Sequence, residues 1–294
     1  MQRKSLGAGV AALALLGIGL ASAPSPAQAA GSFPVVDLAV SGDQVTMSQS
    51  TMRPGVVEFH VGKTFVIPGP DNGPDTISIV RTDKLDEVLA QLPAVFSGDP
   101  SDPASLAAAG AGMAAIHGIT TWYGGSEKGG VWQVNLPAGN YFALGVGSTV
   151  RGLAKPAAFT VSGDPRPGVL HATQLTVRAV GPVGANRWMV RQVGRQPVQW
   201  VNYANAAHEI HFMDLSGVKP TTTDAMVKKA FMSNGDPKFV TGPFLNFDVV
   251  SPGVRVAIQE NVPRGRYLVD CFIPSEADGM PHALMGMWKL FNVL

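Results

Sequence analysis

One segment occurs twice in this chain, and it restricts the fold more than any other feature. Leu136-Pro-Ala-Gly-Asn-Tyr-Phe-Ala-Leu-Gly145 aligns with Val262-Pro-Arg-Gly-Arg-Tyr-Leu-Val-Asp-Cys271. Each copy is a Pro-x-Gly-x-Tyr turn running into a short apolar strand, the punctuation of a tight hairpin. A second pair of segments keeps the same order: Asp75-Thr-Ile-Ser-Ile precedes the first copy and His208-Glu-Ile-His-Phe the second. Repetition on this scale means that one strand-rich unit is built twice. The expected fold class is all-β, two tandem Greek-key β-sandwiches, each with a short helical insertion.

The segments between the repeats agree with that reading. Val56-Val-Glu-Phe-His-Val61 alternates apolar and polar residues as a half-buried strand does. Asp83 to Leu92 sets Leu85, Val88, Leu89 and Leu92 on one helical face, and Ala104 to Ile116 is a weaker Ala- and Gly-rich helix. Thr222 to Met232 is the helix of the second unit, with Thr222 or Thr223 as its cap. Each amphipathic helix is expected on a sandwich edge. Ser162-Gly-Asp-Pro-Arg-Pro-Gly168 has linker composition. The boundaries that follow are 1–29, 31–162, a linker at 163–168, and 169–294.

Residues 1–29 read as a secretory signal peptide. Arg3 and Lys4 precede an apolar run from Leu6 to Ala21, and Ala27-Gln28-Ala29 is a small-residue cleavage site. Localisation is therefore expected to be secreted or extracytoplasmic, with no membrane span after cleavage. Removal of Arg3 and Lys4 leaves 20 Lys and Arg against 21 Asp and Glu, a net charge of −1. So balanced a chain has no field to gather nucleic acid or anionic lipid. The single cysteine cannot form an internal disulfide.

That cysteine, Cys271, ends a strand, and His282, Met285 and Met287 follow it before the final strand at Trp288. Soft sulfur donors and an imidazole on one loop suit copper. Taken one at a time, these residues have plainer roles: a buried cysteine is a small hydrophobe, and a methionine pair fills core space. His211 lies three residues after His208, so on a regular strand it falls on the opposite face and reads as structural or exposed. His60, His117 and His171 suggest no site. Glu58, Glu209, Asp214 and Asp270 show no paired-carboxylate spacing.

These residues resemble the cupredoxin, or blue copper, superfamily. Its pattern is a histidine opening a central strand after an Asn-bearing turn, then a Pro-Gly-x-Tyr hairpin, a Cys ending a strand, a His and a Met. Asn205-Ala-Ala-His208 is similar to the first part, and Pro263-Arg-Gly265-Arg-Tyr267 with Cys271 to the second. Pro281-His282-Ala-Leu-Met-Gly286-Met287 is similar to a plastocyanin-like ending. The resemblance implies a cupredoxin-like sandwich in both halves and assigns His208, Cys271, His282 and the weak axial Met287 as copper ligands, with Met285 the runner-up. The first half, with Asp75, Gly145, Val150 and Lys155 at the aligned positions, is expected to be metal-free.

One departure stands out. The family places few residues between Cys and His, whereas Phe272 to Pro281 intervene here. The segment either loops out and returns His282 to Cys271 or carries it away. The expected function is a secreted copper protein for electron transfer, with a redox partner protein, or for copper handling. The alternative is a metal-free extracellular binding or structural module. A multicopper oxidase or nitrite reductase is not expected, because the chain has no His-x-His pair and no His beside Cys271.

Overall fold

The computed structural model describes residues 33–63, 76–96, 99–146, 153–233 and 237–294, all within one compact unit. The expected signal peptide, the strand expected over Thr64 to Ile67, and positions Asp75 and Val150 lie outside the described residues. The chain is all-β, as its repeats require, with three helices among the described residues.

The first set of elements is β1 (Val35–Ser41), β2 (Gln44–Met47), β3 (Thr51–Met52), β4 (Gly55–Val61), β5 (Thr76–Arg81), α1 (Leu85–Phe96), α2 (Pro103–Ile119), β6 (Thr121–Glu127), β7 (Val131–Leu136), β8 (Gly139–Val146) and β9 (Leu153–Val161). The second is β10 (Leu175–Gly181), β11 (Arg187–Gln192), β12 (Val198–Ala207), β13 (His211–Val218), α3 (Asp224–Ser233), β14 (Val240–Val250), β15 (Arg255–Val262), β16 (Gly265–Asp270) and β17 (Trp288–Val293).

One long sheet runs in the order β2-β1-β4-β7-β15-β12-β10-β11. Two smaller sheets, β6-β5-β8-β9 and β14-β13-β16-β17, complete the layers. Apart from the two-residue β3 and a single β2–β9 bridge, the pairing in the second set reproduces that of the first. In both, the opening strand pairs antiparallel with the next and parallel with the one that continues the long sheet. The sets are joined where β7 pairs with β15 and where Tyr123 meets Val250.

The core lies between the layers, where Phe59 of β4 meets Phe159 of β9 edge-to-face at 6.4 Å and Trp188 of β11 meets His211 of β13 edge-to-face at 6.4 Å. The repeated hairpin has a physical purpose. Tyr141 donates its hydroxyl to the Pro137 carbonyl at 2.6 Å, and Tyr267 donates to Pro263 at 2.8 Å. Both rings are buried, so each motif ties the start of a strand back across its turn. Tyr141→Phe and Tyr267→Phe each remove one such bond with almost no change in packing. Each is expected to cost about 1 kcal/mol in urea unfolding, with an unchanged m-value.

Two strands depart from the sequence-based expectation. β6, Thr-Trp-Tyr-Gly-Gly-Ser-Glu, carries two glycines, and β14 contains Gly242-Pro243, so neither has strand-like composition. Their tertiary partners override the weak propensity. A Cβ on Gly125 would press into the β5 backbone at Ile77 and Ser78, which shows why glycine stands there.

A third departure concerns the turn before β13. The strand β12 continues through Ala207, and residues 208–210 form a bend, so β13 begins at His211 and not at His208. Strand alternation therefore does not connect His208 with His211. The pairing register shows the same offset. Arg81 opposite Tyr141 corresponds to Gly217 opposite Tyr267, which sets Thr76 against Phe212 and His211 one residue earlier.

Candidate metal centre

The site lies where β12, β13 and the loop after β16 meet. Asn205 fixes the bend: its amide donates to the carbonyls of Glu209 at 2.8 Å and Val250 at 2.7 Å, and its oxygen accepts from Ala207 N–H at 3.0 Å. The hydroxyl of Tyr203 donates to the His211 carbonyl at 2.7 Å. His211 shares the parity of Met213 and Leu215, all three fully buried, so its imidazole points into the core.

The long loop after Cys271 closes on itself. Pro274 bridges Pro281, Ser275 N–H donates to the Met280 carbonyl at 2.9 Å, and Gly279 N–H donates to the Ser275 carbonyl at 2.8 Å. The chain then returns beside its starting point. His282 N–H donates to Ile273 at 3.0 Å, and Ala283 N–H donates to the Cys271 carbonyl at 2.7 Å. The extra residues are a closed excursion that keeps His282 next to Cys271.

Three side chains converge as a result. Cys271 Sγ lies 3.7 Å from Nδ1 of His211 and 3.7 Å from Nδ1 of His282. They form the one group of His, Cys, Asp and Glu donors among the described residues whose spacing could hold a metal ion. None of the three is more than 1% exposed. Of the residues assigned from sequence, Cys271 and His282 are brought together here. His208 is not: it is exposed on the bend, and His211 stands in its place. The inward placement of His211 was legible in the apolar residues at Met213 and Leu215, two and four positions after it. Met287 is buried and donates its N–H to the His282 carbonyl at 2.9 Å, whereas Met285 is 38% exposed.

The electrostatics suit ligands held neutral until a cation arrives. Burial pushes the Cys271 thiol well above its ordinary range. Burial, then the neighbouring His282, hold His211 far below the usual imidazole range, so it is neutral with a lone pair available. A fourth group completes the site. Glu209, fully buried, sets Oε1 3.4 Å from His282 Nε2. The same carboxylate accepts from Gly184 N–H at 2.8 Å, the Asn186 amide, Ser275 Oγ at 3.0 Å and Glu276 N–H at 2.8 Å. Burial alone would raise its pKa, but the His282 contact and the Gly184 N–H outweigh it and hold the group below the carboxylate range. The contact is an ion-pair approach and not a hydrogen bond; a carboxylate on that side favours the proton on the outer nitrogen, which leaves the Nδ1 lone pair of His282 facing Cys271. Glu209 was not anticipated from sequence as part of the site.

A helix from the first set covers the loop. Gly110 of α2 packs so closely on Gly279 that a Cβ there would lie 2.7 Å from Gly279 N, and His117 of α2 pairs with Glu276 at 2.7 Å. In the first set, Gly145 takes the register position of Cys271, opposite Ile77.

No family model matches the chain, and no curated protein does either. Solved structures similar to it include auracyanin B, at 23% identity over 40% of this chain and 86% of that one, with a TM-score of 0.25. Reduced auracyanin from Roseiflexus castenholzii aligns at 14% identity over 40% of this chain and 94% of that one, with a TM-score of 0.24. A copper nitrite reductase from Nitrosomonas europaea aligns at 10% identity over 89% of this chain and 93% of that one, with a TM-score of 0.25. Superpositions at this level carry no weight for fold or activity, and the architecture stands on its strand pairing. No helix among the described residues is long and apolar enough to cross a membrane.

Proposed function

We propose that this is a secreted, cupredoxin-like copper protein of two tandem domains, 31–162 and 169–294, in which the second binds one copper ion. His211, Cys271 and His282 would hold the ion, and the buried Met287, not the exposed Met285, would be the weak axial donor. The convergence of one thiol and two imidazole Nδ1 atoms carries the reading. The residues fit the group: two imidazoles and a thiolate suit both copper oxidation states, and a distant thioether tunes the potential. Bound copper would supply one-electron chemistry. The chain's own residues hold the donors still, exclude water and fix the His282 tautomer.

Complete burial of the three donors supports a closed site for electron transfer or copper handling over an open catalytic one. The absence of any His-x-His pair in the sequence argues the same way against a multicopper oxidase. A redox partner protein would belong to the electron-transfer role.

The test is a Cu(II) titration of the folded chain. One equivalent is expected to produce an intense visible thiolate-to-copper band that Cys271→Ser abolishes. The 3.7 Å contacts are also compatible with a metal-free hydrogen-bonded cluster in a binding or structural module. A titration without that band, in protein of unchanged fold, would select this second reading.

A further inference from the structure

On the outer face of the β14-β13-β16-β17 sheet, away from the three donors, lies a cleft of about 940 Å³. Asp214 of β13 and Asp270 of β16 sit directly opposite each other in the pairing register and both line it. Directly paired residues present their side chains on the same face about 4.5–5.5 Å apart at Cβ. Asp270 is 5% exposed, and the buried Oδ1 atoms of Asp270 and Asp214 have no hydrogen-bond partner. Among the described residues, no lysine, arginine or histidine lines the cleft.

The walls are of a different character. Phe231 of α3 and Phe272 meet edge-to-face at 5.2 Å, and Leu284 and Phe244 continue the apolar lining, with Phe244 59% exposed at the mouth. Burial raises the Asp214 carboxyl to about 7 and, with Asp214 beside it, raises Asp270 further, so the pair holds protons until a cation between them favours the ionised form. An anion finds no positive partner there, and a neutral ligand leaves the pair protonated. A metal ion is poorly served, since among the described residues the pair belongs to no group of three ligating side chains at metal-binding spacing. Aromatic walls instead favour a cation with an apolar body, through burial and cation–π attraction. The volume falls within the range of small-molecule sites.

We propose that this cleft binds a small organic cation, an ammonium group on an aromatic or branched apolar body, with the ammonium between Asp214 and Asp270. The site does not depend on copper, and metal-free protein tests it as well as loaded protein.

Isothermal titration of the full chain with 2-phenylethylammonium is the experiment, with 2-phenylethanol and phenylacetate as the neutral and anionic counterparts. Saturable binding of the ammonium alone is expected, in metal-free and copper-loaded protein alike. Asp214→Asn and Asp270→Asn should each weaken it about tenfold or more, the loss of one charged hydrogen bond. Phe244→Ser, at the exposed mouth and remote from the fold's core, should weaken it several-fold. Absence of saturable binding to folded protein overturns the proposal. So do equal binding of phenylethanol, or unchanged affinity in folded Asp→Asn variants.

Discussion

His211→Ala is expected to lower copper affinity by at least about 100-fold and to abolish the visible band, while His208→Ala changes neither. Loss of an outer partner alone costs roughly 10–100-fold at metal sites, and loss of a direct donor exceeds that. The two histidines differ by three positions and by everything that matters for ligation. His208 is exposed on a bend, whereas His211 is fully buried, with its carbonyl held by Tyr203 and Nδ1 facing Cys271. His208→Ala should stay within about 0.5 kcal/mol of the parent in stability, as surface changes do. Parallel copper titrations and urea melts of the two variants check this. Copper binding that survives His211→Ala and fails in His208→Ala would reverse the assignment.

Glu209→Ala is expected to be among the most destabilising single changes in the chain, by about 3–5 kcal/mol, because it strands the buried partners of a charge. Its carboxylate gathers Gly184 N–H, the Asn186 amide, Ser275 Oγ, Glu276 N–H and His282 Nε2. Those groups come from the turn between β10 and β11, from the long loop and from the site itself. Without the carboxylate they are left without their acceptor in a buried place. Glu209→Gln keeps the shape but must turn an amide donor toward another donor, so an intermediate loss is expected. Urea unfolding at neutral pH separates the three proteins, and a loss below about 1 kcal/mol for alanine would show that water takes over the acceptor role. In either variant that folds, copper affinity should fall roughly 10–100-fold because His282 loses its orienting partner.

The sequence carried the architecture well where local chemistry dictates it. Pro-x-Gly-x-Tyr announces its turn, its strand and the hydroxyl bond of Tyr141 or Tyr267 in one motif. The pairing of Cys271 with His282 was legible because their order and strand context set them on one loop. What was not legible depends on distant partners. β6 and β14 are strands because β5 and β13 pair with them, against their own glycine and proline content. The bend at 208–210 follows from Asn205 reaching the Val250 carbonyl, a contact across 45 positions, and it brings His211, not His208, beside Cys271. The long loop stays beside Cys271 under a helix that arrives through Gly110, from the other half of the sequence.

Copper-edge X-ray absorption on protein loaded with one equivalent and freed of excess metal tests the central claim most directly. The account predicts one sulfur at about 2.3 Å and two imidazole nitrogens at about 2.0 Å, by analogy with zinc–thiolate and zinc–imidazole distances. A shell of nitrogen and oxygen alone, or protein that retains no copper, would contradict it.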